Sequence, residues 1–132
     1  MLDNMLDALK KTPELLTIYE KLKTTLQERY PATVIACQAS QIAFVHDELP
    51  YLVVTLPHRK KAGQEPYLIV SVFLSKRLDN PRFVQITEPY ANVWLHHLFL
   101  HCVQDLDTDI LQWIDLAYRE NELTSIPKTT HV

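Results

Sequence analysis

The chain has 132 residues, of which 47% are hydrophobic, and this length and composition are typical of one globular domain with a conventional core. Its net charge of -3 argues against a generally basic nucleic-acid-binding protein. The single glycine, Gly63, excludes a Walker loop and a dinucleotide-binding fingerprint, because both need several glycines to bring backbone N–H groups close to phosphate.

The first 30 residues predict helical structure. Apolar residues recur at helical spacing until Pro13 interrupts the pattern. Thr12 is then placed to cap a new helix that has Pro13 in its first position, and a second apolar stripe continues up to Pro31. We therefore expect residues 1–30 to form two helices or one kinked helix.

Residues 33–102 predict a sheet. Short runs of β-branched and aromatic residues alternate with turn formers, at 33–37, 41–45, 51–56, 67–74, 83–87 and 93–102. Short connections favour antiparallel neighbours, because a parallel pair needs a crossover of about a dozen residues or more. We expect about five or six strands in a meander. Residues 67–74 should lie centrally with both faces covered, since they are almost continuously apolar.

Residues 106–121 predict a carboxy-terminal helix packed on the sheet. Trp113 and Tyr118 fall on its apolar face and, with Trp94, are expected to be core residues. Three aspartates, Asp105, Asp107 and Asp109, cluster where the helix begins and can cap its free N–H groups. Residues 125–132 are expected to be a mobile tail. The chain from 1 to 132 is thus predicted to be a single α+β domain.

The cysteines and the amino terminus indicate the compartment. Cys37 and Cys102 lie inside apolar stretches, so we expect two buried free thiols and a reducing environment. Asp3 and Asp7 interrupt the first leucines, unlike a secretory signal, and no later apolar run is long enough to cross a bilayer. These features predict a soluble, cytoplasmic protein without a membrane partner.

Two arginines flank a turn-like segment, and a pair of histidines follows in the last predicted strand. In a structural interpretation, Asp79 pairs with Arg82 and locks the turn. In a functional interpretation, Arg77, Arg82 and either His96 or His97 converge on an anion, because guanidinium groups match carboxylate and phosphate bidentately. The two interpretations are compatible, with one arginine structural and the other exposed.

The histidine cluster does not predict a metal site. His96 and His97 point to opposite faces of a strand, and His97 and His101 would lie roughly 13 Å apart along it. One ion cannot be bound across that distance. We expect no metal and no cofactor.

The second half of the chain resembles a bacterial family, domain of unknown function 5655. The resemblance rests on Arg77 to Arg82, Trp94 to His97, and Trp113 to Tyr118, which are similar to that family's Arg-Leu-Asp-x-Pro-Arg, Trp-x-His-His and Trp-x-x-x-Ala-Tyr segments. The layout is also similar to that of YjbR-like double-wing domains, some of whose relatives are suspected of binding DNA. The resemblance implies an α+β fold but no mechanism.

The sequence favours a non-enzymatic binding module for a small anionic ligand, a nucleic-acid phosphate or an acidic partner segment. The expected ligand-binding residues are Arg77, Arg82, His96 and His97. Nucleic acid is the weaker choice, because the basic run Arg59–Lys60–Lys61, expected at a hairpin tip, has no interleaved aromatic platform. An enzyme comes third, because no nucleophile, base and orienting group can be assembled.

The alternative is a protein-interaction module. The apolar amino-terminal helix would then dock on another protein or on a second copy of the chain, forming a homodimer. The sequence leaves the identity of the ligand and the oligomeric state open.

Overall fold

The computed structural model describes residues 4–57 and 65–130, with side chains as far as residue 121. Within these ranges the elements are α1 (Met5–Lys10), α2 (Pro13–Arg29), β1 (Val34–Cys37), β2 (Ile42–His46), β3 (Leu49–Thr55), β4 (Leu68–Leu74), β5 (Gln85–Tyr90), β6 (Val93–Leu100), a 3₁₀ turn (Val103–Asp105) and α3 (Thr108–Thr130). The predicted α+β class, with amino-terminal helices, an antiparallel sheet and a carboxy-terminal helix on the sheet, is confirmed. The Arg59–Lys60–Lys61 run lies outside the described residues.

The amino-terminal segment forms two helices rather than one kinked helix. Asn4 caps α1: its side chain accepts a hydrogen bond from the Asp7 N–H at 3.0 Å, and the Asp7 carboxylate accepts one from the Asn4 N–H. α2 begins at Pro13. Met5 and Leu9 of α1 are buried in the core, so the apolar residues that were expected to dock on a partner pack largely within the chain itself.

The six strands pair antiparallel in the order β1-β2-β3-β4-β6-β5. The predicted meander is therefore wrong in its second half, because β6 lies between β4 and β5. β5 carries Glu88 and Pro89, which suit an edge strand, since proline cannot donate to a neighbour. β6 is apolar apart from its two histidines, which suits an interior position.

Within the described part of the chain, the helices cover only one face of the sheet. Strand residues on that face are almost completely buried, among them Ile42, Phe44, Leu52, Val54, Leu68, Val70, Val72, Leu98 and Leu100. β4 is central, as predicted, but its other face, with Ile69 and Phe73, borders an open groove. The expectation that both faces of β4 are covered is correct for the helix side alone.

α3 is held on the sheet by an aromatic cluster. The Tyr118 ring stacks on Tyr30 at 4.1 Å between centroids and on His46 at 4.7 Å, and its edge meets Tyr51 at 5.1 Å. The Tyr30 hydroxyl donates a hydrogen bond to Asp115 at 2.7 Å, which ties α2 to α3. The prediction that Tyr118 is a core residue is confirmed.

α3 is longer than the predicted helix of residues 106–121, since it runs from Thr108 to Thr130. No glycine or proline stands between residues 108 and 126, so the chain contains no residue that would end the helix at 121. The helix thus includes most of the segment expected to be a tail, and residues 131–132 lie outside the described part. As predicted, Asp107 caps the helix, because its Oδ1 accepts the Ile110 N–H at 3.2 Å.

Both cysteines are exposed, so the prediction of buried thiols is wrong. Cys37 is the last residue of the edge strand β1, and Cys102 follows the end of β6, so each lies where its strand leaves the core. Trp94 and Trp113 are half-buried rather than fully internal, although Trp113 packs against the core.

Candidate functional site on the open face of the sheet

His96 lies on the helix-covered face and is completely buried. Its Nδ1–H donates to the Trp94 carbonyl at 3.2 Å, and its Nε2 accepts the Leu78 N–H at 2.9 Å. The second bond requires a neutral ring with a free lone pair on Nε2. Burial lowers the pKa of His96 below its ordinary value, and the nearby Arg77 charge acts in the same direction. His96 therefore anchors the β4–β5 connection as a neutral residue.

Arg82 joins the same connection to the start of α3. Its Nη1 donates to the Asp107 carboxylate at 2.9 Å, its Nη2 donates to the Asp105 carbonyl at 3.4 Å, and the guanidinium lies over the Trp113 ring. Partial burial acts to raise the pKa of Asp107, but the Ile110 N–H and Arg82 lower it below its ordinary value. The predicted Asp79–Arg82 pair is wrong, because Asp107 takes the place of Asp79.

Arg77 is the more exposed of the two arginines. Its Nε donates to Asp79 at 2.8 Å, and its guanidinium lies 6.0 Å from the centre of the Trp94 ring. Its side chain is 53% exposed. Asp79 thus has an arginine partner, as expected, but the partner is Arg77.

The four predicted ligand-binding residues do not share one surface. Arg77, Arg82 and His96 lie around the β4–β5 connection on the helix side, in contact with Trp94, Trp113 or Leu78. His97 lies on the opposite face, as its neighbouring position on β6 predicts. Anion binding by the arginines stays a prediction, and His97 belongs to a different site.

A groove of about 860 Å³ covers the open face of the sheet. Alternate residues of neighbouring strands line it, and most are apolar: Ala36, Ala43, Val45, Pro50, Val53, Ile69, Phe73, Val84, Leu95 and Phe99. Glu48 is the one charged side chain among the described residues that line it, and it lies at the tight β2–β3 turn. The volume of the groove falls within the range of known small-molecule sites.

A polar centre interrupts this apolar surface. Ser71 Oγ lies 2.7 Å from His97 Nδ1, and Thr87 Oγ1 lies 3.2 Å from His97 Nε2. Ser71 and His97 are register partners on β4 and β6. Burial, followed by the neighbouring His96, lowers the pKa of His97, so the ring is neutral at pH 7.

The hydrogen-bond chain through His97 leaves one hydroxyl proton available in either neutral tautomer. If Nδ1 accepts from Ser71, then Nε2–H donates to Thr87 and the Thr87 proton points elsewhere. If Nδ1–H donates to Ser71, the Ser71 proton is available instead. When the ring is protonated, both hydroxyl protons are available and the centre is positive. The centre can therefore donate a hydrogen bond to an acceptor oxygen in the groove.

Sequence reasoning identified His97 but missed Ser71 and Thr87. Ser71 was visible as the single polar residue of β4, Leu68–Leu74. Its contact with His97 depends on the pairing of β4 with β6, and in the predicted meander these two strands are not neighbours. Thr87 reaches His97 only because β5 pairs with the other edge of β6.

No helix in the described part of the chain is both long and apolar enough to cross a membrane. Among the same residues, no group of three or more histidine, cysteine, aspartate or glutamate side chains is arranged to hold a metal ion.

Comparison with known families matches residues 6–121 to the family described as Domain of unknown function (DUF5655). No curated protein and no solved structure matches the chain. The match extends well beyond the second half of the chain, where the sequence resemblance was strongest. The resemblance to YjbR-like domains stays a prediction.

Proposed function

The chain belongs to the DUF5655 family, and we propose that it is a binding module that holds a small, largely apolar carboxylate in the groove on the open face of the sheet. The observation that carries this proposal is the hydrogen-bonded Ser71–His97–Thr87 centre, of which Ser71 and His97 line a largely apolar groove. A few placed polar groups within an apolar lining are typical of small-molecule sites.

The polar centre supports a ligand that accepts hydrogen bonds. Ser71 is only 6% exposed, and burying polar groups on an apolar surface costs free energy unless their hydrogen bonds are made. The three groups satisfy one another and still leave a hydroxyl proton for an outside acceptor. A carboxylate oxygen is the strongest common acceptor for such a donor.

A negative charge on the ligand is supported by the ability of His97 to become protonated. A bound carboxylate favours the imidazolium form, because an opposite charge nearby raises the pKa of a histidine. The carboxylate would thus bind more tightly as the pH falls. In this respect the proposal keeps the anionic ligand expected from the sequence but places it at His97, away from Arg77 and Arg82.

The surroundings of His97 support binding more than catalysis. Ser71 and His97 are close enough to act as nucleophile and base. However, the far nitrogen of the ring faces the Thr87 hydroxyl, which bears no charge to stabilise an imidazolium during turnover. We therefore assign the centre to ligand anchoring.

The proposal is tested by NMR titration with phenylpropionate, and with phenylpropanol as the neutral control of similar shape. Phenylpropionate is expected to shift the backbone amide signals of β4, β5 and β6 residues around Ser71, Thr87 and His97. Its affinity should be higher at about pH 5.5 than at about pH 7.5, on either side of the ordinary histidine pKa of about 6.5. The alcohol should bind more weakly and with little pH dependence.

Two matched variants locate the binding site. Thr87→Val removes the hydroxyl that bonds to His97, whereas Thr55→Val makes the same change at a residue that lines the groove. We expect the first to weaken phenylpropionate binding by about fivefold to tenfold, the value of one hydrogen bond, and the second to have little effect. Absence of shifts on the open face, or equal losses in both variants, would contradict the proposal.

A further inference from the structure

A second, smaller pocket lies between the carboxy-terminal half of α3 and the ends of the strands. Its volume is about 310 Å³, and its walls include Phe73, Leu74, Tyr90 and Val93 from the sheet and Ala117 from the helix. Phe73 also borders the open-face groove, so the two spaces are neighbours at the end of β4. The Ser71–His97–Thr87 centre is not part of the small pocket.

Asn121 gives this pocket a specific chemistry. It is 7% exposed, and its Nδ2 donates a hydrogen bond to the Leu49 carbonyl at 2.7 Å. This bond determines the orientation of the amide, since the carbonyl of Leu49 can pair only with the NH₂ group. The Oδ1 atom of Asn121 is then left buried without a hydrogen-bond partner among the described residues. A buried acceptor of this kind is stabilised by any donor that reaches it.

The lining also indicates the charge of the missing donor. Glu120 is the one charged side chain among the described residues around this pocket. Its carboxylate accepts hydrogen bonds from Ser75, from the backbone N–H at 2.8 Å and from the hydroxyl at 2.9 Å, which hold it at the pocket wall. A negative charge beside a neutral acceptor favours a cationic N–H donor. Tyr90, 74% exposed, adds an aromatic ring, which also attracts cations.

We propose that this pocket is a second binding site, for a primary ammonium group on a short apolar body, with Asn121 Oδ1 as its hydrogen-bond acceptor and Glu120 as its countercharge. The ammonium group supplies the donor that the buried amide oxygen lacks, and the apolar body contacts Phe73 and Val93. This site has the opposite charge preference to the groove, and its polar groups, Asn121 and Glu120, are not among the residues that line the groove.

The test is an NMR titration of the full chain with phenethylamine, with phenylethanol as the neutral control. Phenethylamine is expected to shift amide signals near Leu49, Ser75, Val93 and Asn121, and to leave those of Ser71 and Thr87 nearly unchanged. Asn121→Leu should weaken this binding by about tenfold, the value of one hydrogen bond to a charged donor. Gln112→Leu makes the same amide-to-aliphatic change at an exposed position of α3 and should bind as the natural chain does.

Glu120→Gln provides a second measurement if Asn121→Leu does not fold. Glutamine can still accept a hydrogen bond from Ser75 but lacks the charge, so the preference for the amine over the alcohol should fall several-fold. The inference is overturned if phenethylamine shifts none of the pocket signals. If Asn121→Leu folds, the inference is also overturned when that variant binds the amine as tightly as the natural chain does. If Asn121→Leu does not fold, the same result for Glu120→Gln overturns the inference. Either result leaves phenylpropionate binding in the groove unaffected, so the two proposals can fail separately.

Discussion

The two arginines of the Arg77 to Arg82 segment have different contacts, which predict different energetic roles. Arg82 bonds to the Asp107 carboxylate and the Asp105 carbonyl, joining two parts of the chain that are distant in sequence. Arg77 bonds to Asp79, two residues away, and more than half of its side chain is exposed. Exposed ion pairs add little stability, whereas a pair that also makes a backbone hydrogen bond adds more.

We therefore predict that Arg82→Gln lowers the free energy of unfolding by about 1 kcal/mol, and that Arg77→Gln lowers it by less than about 0.5 kcal/mol. Urea unfolding of the two variants beside the natural chain measures both values, and each variant is the other's control. A larger loss for Arg77→Gln than for Arg82→Gln would show that the Asp79 contact, rather than the Asp107 contact, holds this segment.

Single-residue predictions from the sequence succeeded where they depended on local geometry. His96 and His97 occupy opposite faces, because neighbouring strand residues must do so. The predicted partner of Arg82 was wrong, because Asp107 comes close to Arg82 only when α3 packs on the sheet. Local sequence offers Asp79 as the nearer carboxylate and carries no information on that tertiary approach.

At the scale of elements, the positions of the strands were predictable but their order was not. Each predicted run overlaps one observed strand, because β-branched and aromatic residues mark strands locally. The order depends on whether β5 or β6 pairs with β4, and this pairing is determined by contacts between residues that are distant in sequence. Glu88 and Pro89 in β5 carry an edge signal that would have corrected the meander.

α3 offers a matched pair of substitutions that tests its packing on the sheet. Ile114 is completely buried in the core, whereas Leu116 is 43% exposed. We predict that Ile114→Ala lowers the free energy of unfolding by about 2 to 4 kcal/mol, because it leaves a cavity beneath the helix. Leu116→Ala should change it by less than about 0.5 kcal/mol.

Chemical denaturation followed by tryptophan fluorescence would measure both effects, since Trp113 lies on the same helix. Similar losses in the two variants would mean that α3 is packed by a different face from the one observed. Ala117 and Asn121 would then not form a wall of the small pocket.

For the molecule as a whole, the sheet has two chemically different faces. Its helix side contains the aromatic cluster and His96, and its open side contains the groove and His97. The sequence could not show which face the helices cover, because apart from Ser71 β4 is apolar on both faces. Ile69 and Phe73 therefore look like core residues in the sequence, although in the structure they line the groove.

The two neighbouring histidines also predict how the stability of the whole molecule depends on pH. Burial lowers the pKa of both His96 and His97 in the folded state. For His96, the backbone hydrogen bonds with Trp94 and Val72 and the charge of Glu120 only partly oppose this. Between the lowered pKa values and the unfolded value of about 6.5, the unfolded chain binds more protons than the folded chain. The contribution of these residues is therefore complete above about pH 6.5 and is lost as the pH falls through the folded-state values.

We predict that the free energy of unfolding decreases between about pH 7 and about pH 5, and that His96→Gln reduces this decrease, since glutamine does not titrate in that range. Protonation of His96 would remove the lone pair that accepts the Leu78 N–H, so the β4–β5 connection should be the first region to lose protection in amide hydrogen exchange. The natural chain measured under the same conditions gives the reference slope. If His96→Gln also retains that slope and Leu78 stays protected at about pH 5, the buried imidazole does not couple folding to pH.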